Sequence, residues 1–318
     1  MPRVDLPRLF RLSSVGSQSR DGKAFRRRAA AGEFVKVRAG VYVAAADWQV
    51  ASSELKHLIR VHAAVPRLSP RVVASHHSAA ALHQVPKIGD WPEGVHVVDP
   101  GRVTAQVASG VHRHAGPLDP ADVVTVQGLR ATSVARTAVD LALTSSFRDA
   151  VVAFDHVLHR GSTTDRALRS QLDSRPAAKG RAGALRALEF ADGAAESVGE
   201  SWCRVVLTRL GAPVPVLQKA FSWGEQDMFA DYVDLWFPDC GVVLEFDGFG
   251  KYTTPRWRRG RTPEQVVVDE KIREDRIRGR PEVRGFARAV WGQLGQPQSL
   301  ATELRRAGVP LAEGRIGG

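Results

Sequence analysis

The stretch VDLWFPDCGVVLEFDG, residues 233 to 248, constrains this chain more than any other. Two apolar runs flank Pro-Asp-Cys-Gly, whose Pro, Asp and Gly suit a tight turn between antiparallel strands. With residues 238 to 241 as the loop, Phe237 faces Val242, Leu235 faces Leu244 and Asp234 faces Glu245. Side chains alternate along a strand, so one face of the hairpin should carry Val233, Leu235, Phe237, Val242, Leu244 and Phe246. The other should carry Asp234, Trp236, Val243, Glu245 and Asp247. Like charges at cross-strand distance destabilise a sheet, so these acids need an offset. A divalent cation such as Mg2+ or Mn2+ supplies one; protonation of one acid, or neighbouring Lys and Arg, supplies another.

At 318 residues the chain exceeds one ordinary core, which favours two or three domains. Lys and Arg number 45 against 34 Asp and Glu, a net charge of +11 that points to a polyanionic partner, DNA first. An Arg-rich composition alone gives the same surplus, so motifs must support it. Cys203 and Cys240 stand far apart without paired spacing, which argues against a disulfide framework or a structural zinc. MPRVDLPRLFRLSSVG lacks the apolar stretch of a signal peptide, and no window approaches 18 uninterrupted apolar residues. The expected location is cytoplasmic, with nucleoid association, and no membrane partner is expected.

The first block ends in SRDGKAFRRRAAAGEFVKVRAGVYV, residues 19 to 43. Ser19 can cap a helix with Asp21 in its first turn, and Gly32 suits the position after its end. EFVKVR and VYV then flank Ala39 and Gly40, the pattern of a two-residue hairpin. A basic helix followed at once by a hairpin resembles the recognition helix and wing of a winged helix-turn-helix. Arg20, Lys23, Arg26, Arg27 and Arg28 would then meet phosphates or bases, with Lys36 and Arg38 reaching the DNA backbone. The alternative is a solvated basic helix.

The second block, from about Trp48 to residue 190, contains ASHHSAAALHQVP as a short capped helix, and GVHVVDP and GVHRHAG as strands. DVVTVQGLRATSVARTAVDLALTSSFRDAVVAFDHVLHRG reads as a strand entering a helical hairpin. His112 and His114 share one strand face, while His76, His77 and His83 lie on or near one helix. No Cys or carboxylate completes a ligand set with them, so hydrogen-bonded or surface histidines are expected rather than a metal site. RRRAAAGEFVKVRAGVYV, ASHHSAAALHQVP and PADVVTVQGLRATSVARTAVDLA resemble the N-terminal half of AbiEi-type antitoxins of type IV toxin-antitoxin systems. That resemblance implies a promoter-binding repressor and a cognate toxin as partner. The segment LDSRPAAKGRAGALRALEFADGAAES, residues 172 to 197, reads as a bridge to the third block.

In the third block, ESVGESWCRVVLTRLG reads as a helix with Glu200 near its start and Gly211 closing it. An acid on a leading helix, an Asp on a strand and an acidic pair on the next strand resemble the PD-(D/E)XK nuclease core. With DEKIREDRIRG following, the closer resemblance is to the DUF559 branch, related to very-short-patch repair endonucleases. It implies that Glu200, Asp234 and Glu245 form the catalytic carboxylates, with Asp234 and Glu245 holding Mg2+ or Mn2+. Asp247 stands where the broad superfamily has Lys, and Lys251 and Lys271 are candidates to replace that charge, or are phosphate contacts or surface lysines. In KYTTPRWRRGRTPEQ, Arg256, Arg258 and Arg259 with Tyr252 and Trp257 interleaved suit a strand of nucleic acid.

The expected fold class is therefore α/β, in an α+β multidomain arrangement. A winged helix would span residues 1–45, a mixed α/β module with a helical linker 46–190, and a restriction-endonuclease-like domain 195–310. Two functions follow: a DNA-binding, metal-dependent endonuclease, or an antitoxin and transcriptional repressor whose nuclease fold is non-catalytic. The oligomeric state is not readable from the sequence.

Overall fold

The computed structural model describes residues 5–12, 19–248 and 262–312. Lys251, Arg256, Arg258 and Arg259, with Tyr252 and Trp257, lie outside the described residues. The chain is mixed α/β and divides into two compact units, Met1–Ala191 and Asp192–Gly318.

The first unit opens with β1 (Phe10–Arg11), α1 (Arg20–Ala30), β2 (Phe34–Arg38) and β3 (Val41–Ala44), the strands ordered β1-β3-β2. Ser19 caps α1 by accepting from the Gly22 amide at 3.0 Å. Gly32 follows the helix at φ 85°, a left-handed conformation open to glycine. The rings of Phe10, Phe25, Phe34 and Tyr42 pack with centroids 4.6 to 5.9 Å apart and form a small aromatic core beneath α1. Gly22 and Phe25 point inward, so Arg20, Lys23 and Arg27, at helical spacing, take the opposite face.

After α2 (Ala45–Val50) and α3 (Ser53–Ala64) comes a six-stranded mixed sheet. Its strands are β4 (Val73–Ala74), β5 (Val95–Asp99), β6 (Gln106–Ala108), β7 (Val111–Ala115), β8 (Val123–Val126) and β9 (Leu129–Thr132), in the order β6-β7-β5-β4-β9-β8. The sequence pattern suggests one strand before the helical hairpin, whereas the structure has two. Gln127 at φ 50° and Gly128 at φ 77° make a two-residue turn between β8 and β9. Asn or Asp usually occupies the first of these positions, so a Gln hides the turn. Helices α4 (His76–His83), α5 (Val134–Thr144), α6 (Phe147–His159), α7 (Asp165–Asp173) and α8 (Arg181–Phe190) complete the unit. The last lies within the segment expected to be a bridge. Its buried Ala184, Ala187 and Leu188 form an apolar stripe too short to stand out among Gly and Arg.

The second unit contains α9 (Val198–Arg209), β10 (Val216–Trp223), β11 (Phe229–Phe237), β12 (Val242–Asp247), α10 (Pro263–Arg278), β13 (Gly285–Val290), α11 (Trp291–Leu294) and α12 (Pro297–Ala307). Its sheet runs β10-β11-β12-β13, antiparallel except for β12 and β13, which pair in parallel across the α10 crossover. The counted register holds over three rungs, Leu235 with Leu244, Trp236 with Val243 and Phe237 with Val242, but the expected Asp234–Glu245 rung is not paired.

The counted faces do not hold throughout. Leu235, Phe237, Val242, Leu244 and Phe246 pack with Cys203, Val206 and Leu207 of α9. Val233 instead joins Trp236, Val243 and Ile277 of α10 on the other side of the sheet. Strict alternation forbids residues 233 and 236 from sharing a face. The neighbouring strand switches at the same rung, with Leu217 in the α9 layer and Phe221 in the α10 layer. At that rung Gln218 takes a left-handed backbone, φ 48°, and it forms no ladder pair with Asp234 although both flanking rungs are paired. A matched irregularity in both strands therefore preserves register while exchanging faces. No alternation rule applied to β11 alone could reveal it.

Candidate functional site

The irregular rung decides where Asp234 goes, apart from the other two strand acids. Asp234 turns toward the sheet backbone, where its Oδ2 accepts the Phe246 amide at 2.8 Å, just past the last β11–β12 ladder pair. Its charge is felt on α9. Burial and then Asp234 raise the Glu200 pKa, and burial followed by both acids raises that of the Cys203 thiol. Glu200 sits three residues into the helix capped by Ser197, whose hydroxyl donates to Oε1 at 2.7 Å. The Glu196 amide and Gln218 Nε2 donate to Oε2 at 3.0 and 3.2 Å. The residue that breaks the alternation thus also holds this carboxylate.

Glu245, only 2% exposed, turns to the opposite layer, where Arg273 Nη2 donates to Oε1 at 2.7 Å. The same guanidinium donates to the Tyr232 carbonyl at 2.7 Å, which holds α10 against β11. Asp247 accepts from Arg288 of β13 at 2.8 Å, and Arg288 also pairs with Glu274 at 2.6 Å. Nearby, Asp231 takes a two-point bond from Arg276 at 2.9 and 3.0 Å.

Glu200 and Asp234 therefore come together, while Glu245 and Asp247 are held by arginines. Among the described residues, no three His, Cys, Asp or Glu side chains converge to hold a metal ion. Asp234 is engaged by the Phe246 amide, and Glu245 by Arg273 of α10. Lys271 stands exposed on α10. The cations that meet the acids are Arg273 and Arg288, which sequence reasoning missed. Their signal was present: Arg273 and Arg276 lie three apart on one helix, and Arg288 alternates with the core residues Ala287 and Ala289.

On α1, Arg20, Lys23, Arg26, Arg27 and Arg28 are all exposed, as is Lys36 on β2. Arg28 is committed to Glu33 at 2.6 Å and lies over the Phe34 ring. Arg38 differs from the rest: it is partly buried, and burial together with Arg67 and Arg113 lowers its pKa.

The histidines form the other assembly that sequence reasoning left scattered. His76 at the start of α4 stacks on His114 of β7 with centroids 3.6 Å apart, and His96 of β5 stacks on His112 at 4.6 Å. His96 Nδ1 lies 3.0 Å from His114 Nε2, one donating and the other accepting. A chain of hydrogen bonds orients His57, and burial keeps it neutral. The His96 amide donates to Ser78 Oγ at 2.8 Å, Ser78 lies 3.3 Å from His57 Nε2, and His57 Nδ1 donates to the Pro92 carbonyl at 2.6 Å. Parallel pairing of β5 with β7 sets His96 beside His112, a pairing invisible in either strand alone.

No helix among the described residues is long and apolar enough to cross a membrane. No family model matches the chain. The crystal structure of the RV2827C protein from Mycobacterium tuberculosis superposes with a TM-score of 0.37 and 14% identity, covering 71% of this chain and 86% of that one. Two uncharacterized proteins of Mycobacterium tuberculosis, MT2308 of strain CDC 1551 / Oshkosh and Rv2248 of strain H37Rv, are each 31% identical to it over 260 residues. The match spans 76% of this chain and 89% of each relative, and the chain belongs to the same family as these mycobacterial proteins.

Proposed function

We propose that this protein binds DNA through α1 and the β2–β3 hairpin. The observation that carries this reading is the exposed stripe of Arg20, Lys23 and Arg27 on the helix face opposite Gly22 and Phe25, beside the exposed Lys36 of the hairpin. Such a stripe supplies phosphate contacts and salt-dependent affinity. Replacing Arg20, Lys23 and Arg27 by Ala should flatten the slope of log affinity against log salt by about 3 for duplex DNA, since each lost phosphate contact removes about 0.9. Fluorescence anisotropy on the chain's own promoter duplex reads it. An unchanged slope would sink the assignment.

In this reading the second unit is a nuclease-like scaffold, as in a transcriptional repressor. A second reading, metal-dependent phosphodiester hydrolysis, is supported by the helix, three-strand, helix, strand order of that unit and by the proximity of Glu200 and Asp234. Cleavage of plasmid, single-stranded DNA or RNA with Mg2+ or Mn2+, lost in Asp234→Ala and Glu245→Ala proteins that melt normally, would establish it. The arginine contacts of Glu245 and Asp247 favour the scaffold reading.

A further inference from the structure

A cavity of about 390 Å3 opens in the first unit between the hairpin, α2, α3 and the strands β5 and β7. Its size lies within the range of small-molecule sites. Lys36, Arg38, Arg60 and His112 bring nitrogen donors to its wall, Trp48 supplies an aromatic face, and Glu93 is the one acid in the lining. Glu93 is spent on Arg60, at 3.1 Å, and its own side chain is 90% exposed. Arg60 is also held from the other side, lying 5.1 Å over the Trp48 ring.

The remaining cations have no such counterweight. Arg38 is crowded electrostatically by Arg67 and Arg113, and among the described residues neither it nor Lys36 has an ion pair. Crowding like charges costs free energy, and a chain concerned only with stability would place a carboxylate here. Arg67 beside Arg38, and His112 in the wall, are fixed in advance. Arg67 is bonded to the Ala39 carbonyl at 2.6 Å, at the tip of the hairpin. His112 is stacked on His96 and seated on Gly94, where an added Cβ would fall 2.4 Å from the imidazole.

We propose that this cavity binds a small phosphorylated ligand of nucleotide size. Its phosphates would be held by Lys36, Arg38 and the edge of His112, and a flat ring would lie against Trp48. Guanidinium and imidazole donors match phosphate oxygens, and two cations with no ion pair among the described residues, beside an imidazole, suit a di- or triphosphate better than a single carboxylate. The site shares Lys36 with the proposed DNA surface but not the stripe on α1, and its lining does not depend on the DNA-binding reading.

The full-length protein should be titrated with ATP, ADP, adenosine and inorganic pyrophosphate, following tryptophan fluorescence and calorimetry. ATP should bind with an affinity that falls in the order ATP, ADP, adenosine, and pyrophosphate should compete. Arg38→Gln should weaken ATP binding at least about tenfold, the scale of one lost charge-assisted contact, while its melting temperature stays within a few degrees. Arg27→Ala should leave nucleotide binding unchanged. Absence of ATP and pyrophosphate binding at millimolar concentration would overturn the proposal. So would equal binding by the Arg38→Gln protein, or an Arg38→Gln defect confined to duplex DNA, which would mark Arg38 as a backbone contact of the hairpin.

Discussion

Acidification should unfold the first unit before the second. All ten histidines of the chain lie before Ala191, so the second unit has none. Burial first, and neighbouring positive groups after it, lower His57 and His77 to about 4, and His96 to about 2. A histidine whose folded pKa lies below its unfolded value of 6.5 contributes stability that is complete above pH 6.5. That contribution is lost as pH falls toward the folded pKa, because the unfolded chain takes up the proton first. At pH 5 each of His57 and His77 has lost about 1.5 units' worth of stabilisation, or about 2 kcal/mol, and the two together about 4 kcal/mol. Against a net stability of about 5–15 kcal/mol, that is a large fraction. With a urea dependence of about 2 kcal/mol per molar, these two histidines alone should drop the midpoint of the first unit by about 2 M between pH 7.5 and pH 5, and His96 adds to the drop. Urea titration by circular dichroism gives the transitions, and limited proteolysis at each pH shows whether the surviving fragment begins near Asp192. A His57→Gln, His77→Asn protein should lose about 4 kcal/mol of the pH dependence, while the share carried by His96 and His156 remains. A midpoint that moves by less than about 0.5 M in the parent chain, or an acid transition mapping to residues after Asp192, would refute the argument.

Other perturbations follow from the same geometry. Arg273→Ala removes the 2.7 Å partner of a Glu245 that is 2% exposed, and should cost about 3–5 kcal/mol in thermal or chemical melts. Arg288→Ala leaves a more accessible pair and should cost less. Gly199→Ala would place a Cβ 1.9 Å from the Phe246 ring, so α9 must shift from the sheet; the melting temperature should fall by several degrees, in keeping with about 1–3 kcal/mol of overpacking. Gln218→Gly should be tolerated by the left-handed backbone at φ 48° yet remove a donor from Glu200, so any loss of stability should shrink as pH falls and Glu200 takes up a proton.

Local chemistry made several elements legible. Ser19 and Gly32 bracket α1 because capping and left-handed termination are properties of single residues, and Pro238 to Gly241 sets the register of β11 on β12 for the same reason. The β8–β9 turn was hidden because Gln127 adopts a conformation usually given to Asn or Asp. The four acids were visible as acids, but their partners were not. Arg273 reaches Glu245 across 28 positions and Arg288 reaches Asp247 across 41, separations over which no pattern in the chain speaks.

Register and capping depend on neighbours in sequence, and these could be counted from the residues themselves. Facing depends on both strands of a ladder at once. Gln218 and Asp234 reverse β10 and β11 together, so Asp234 meets the charge of Glu200 while Glu245 turns to an arginine on the other layer. The histidines obey the same logic: strand pairing and helix packing, not spacing along the chain, bring His57, His76, His96, His112 and His114 into one group. Side-chain alternation is a rule for a regular strand, and one irregular rung shared by two strands is enough to decide which charges meet.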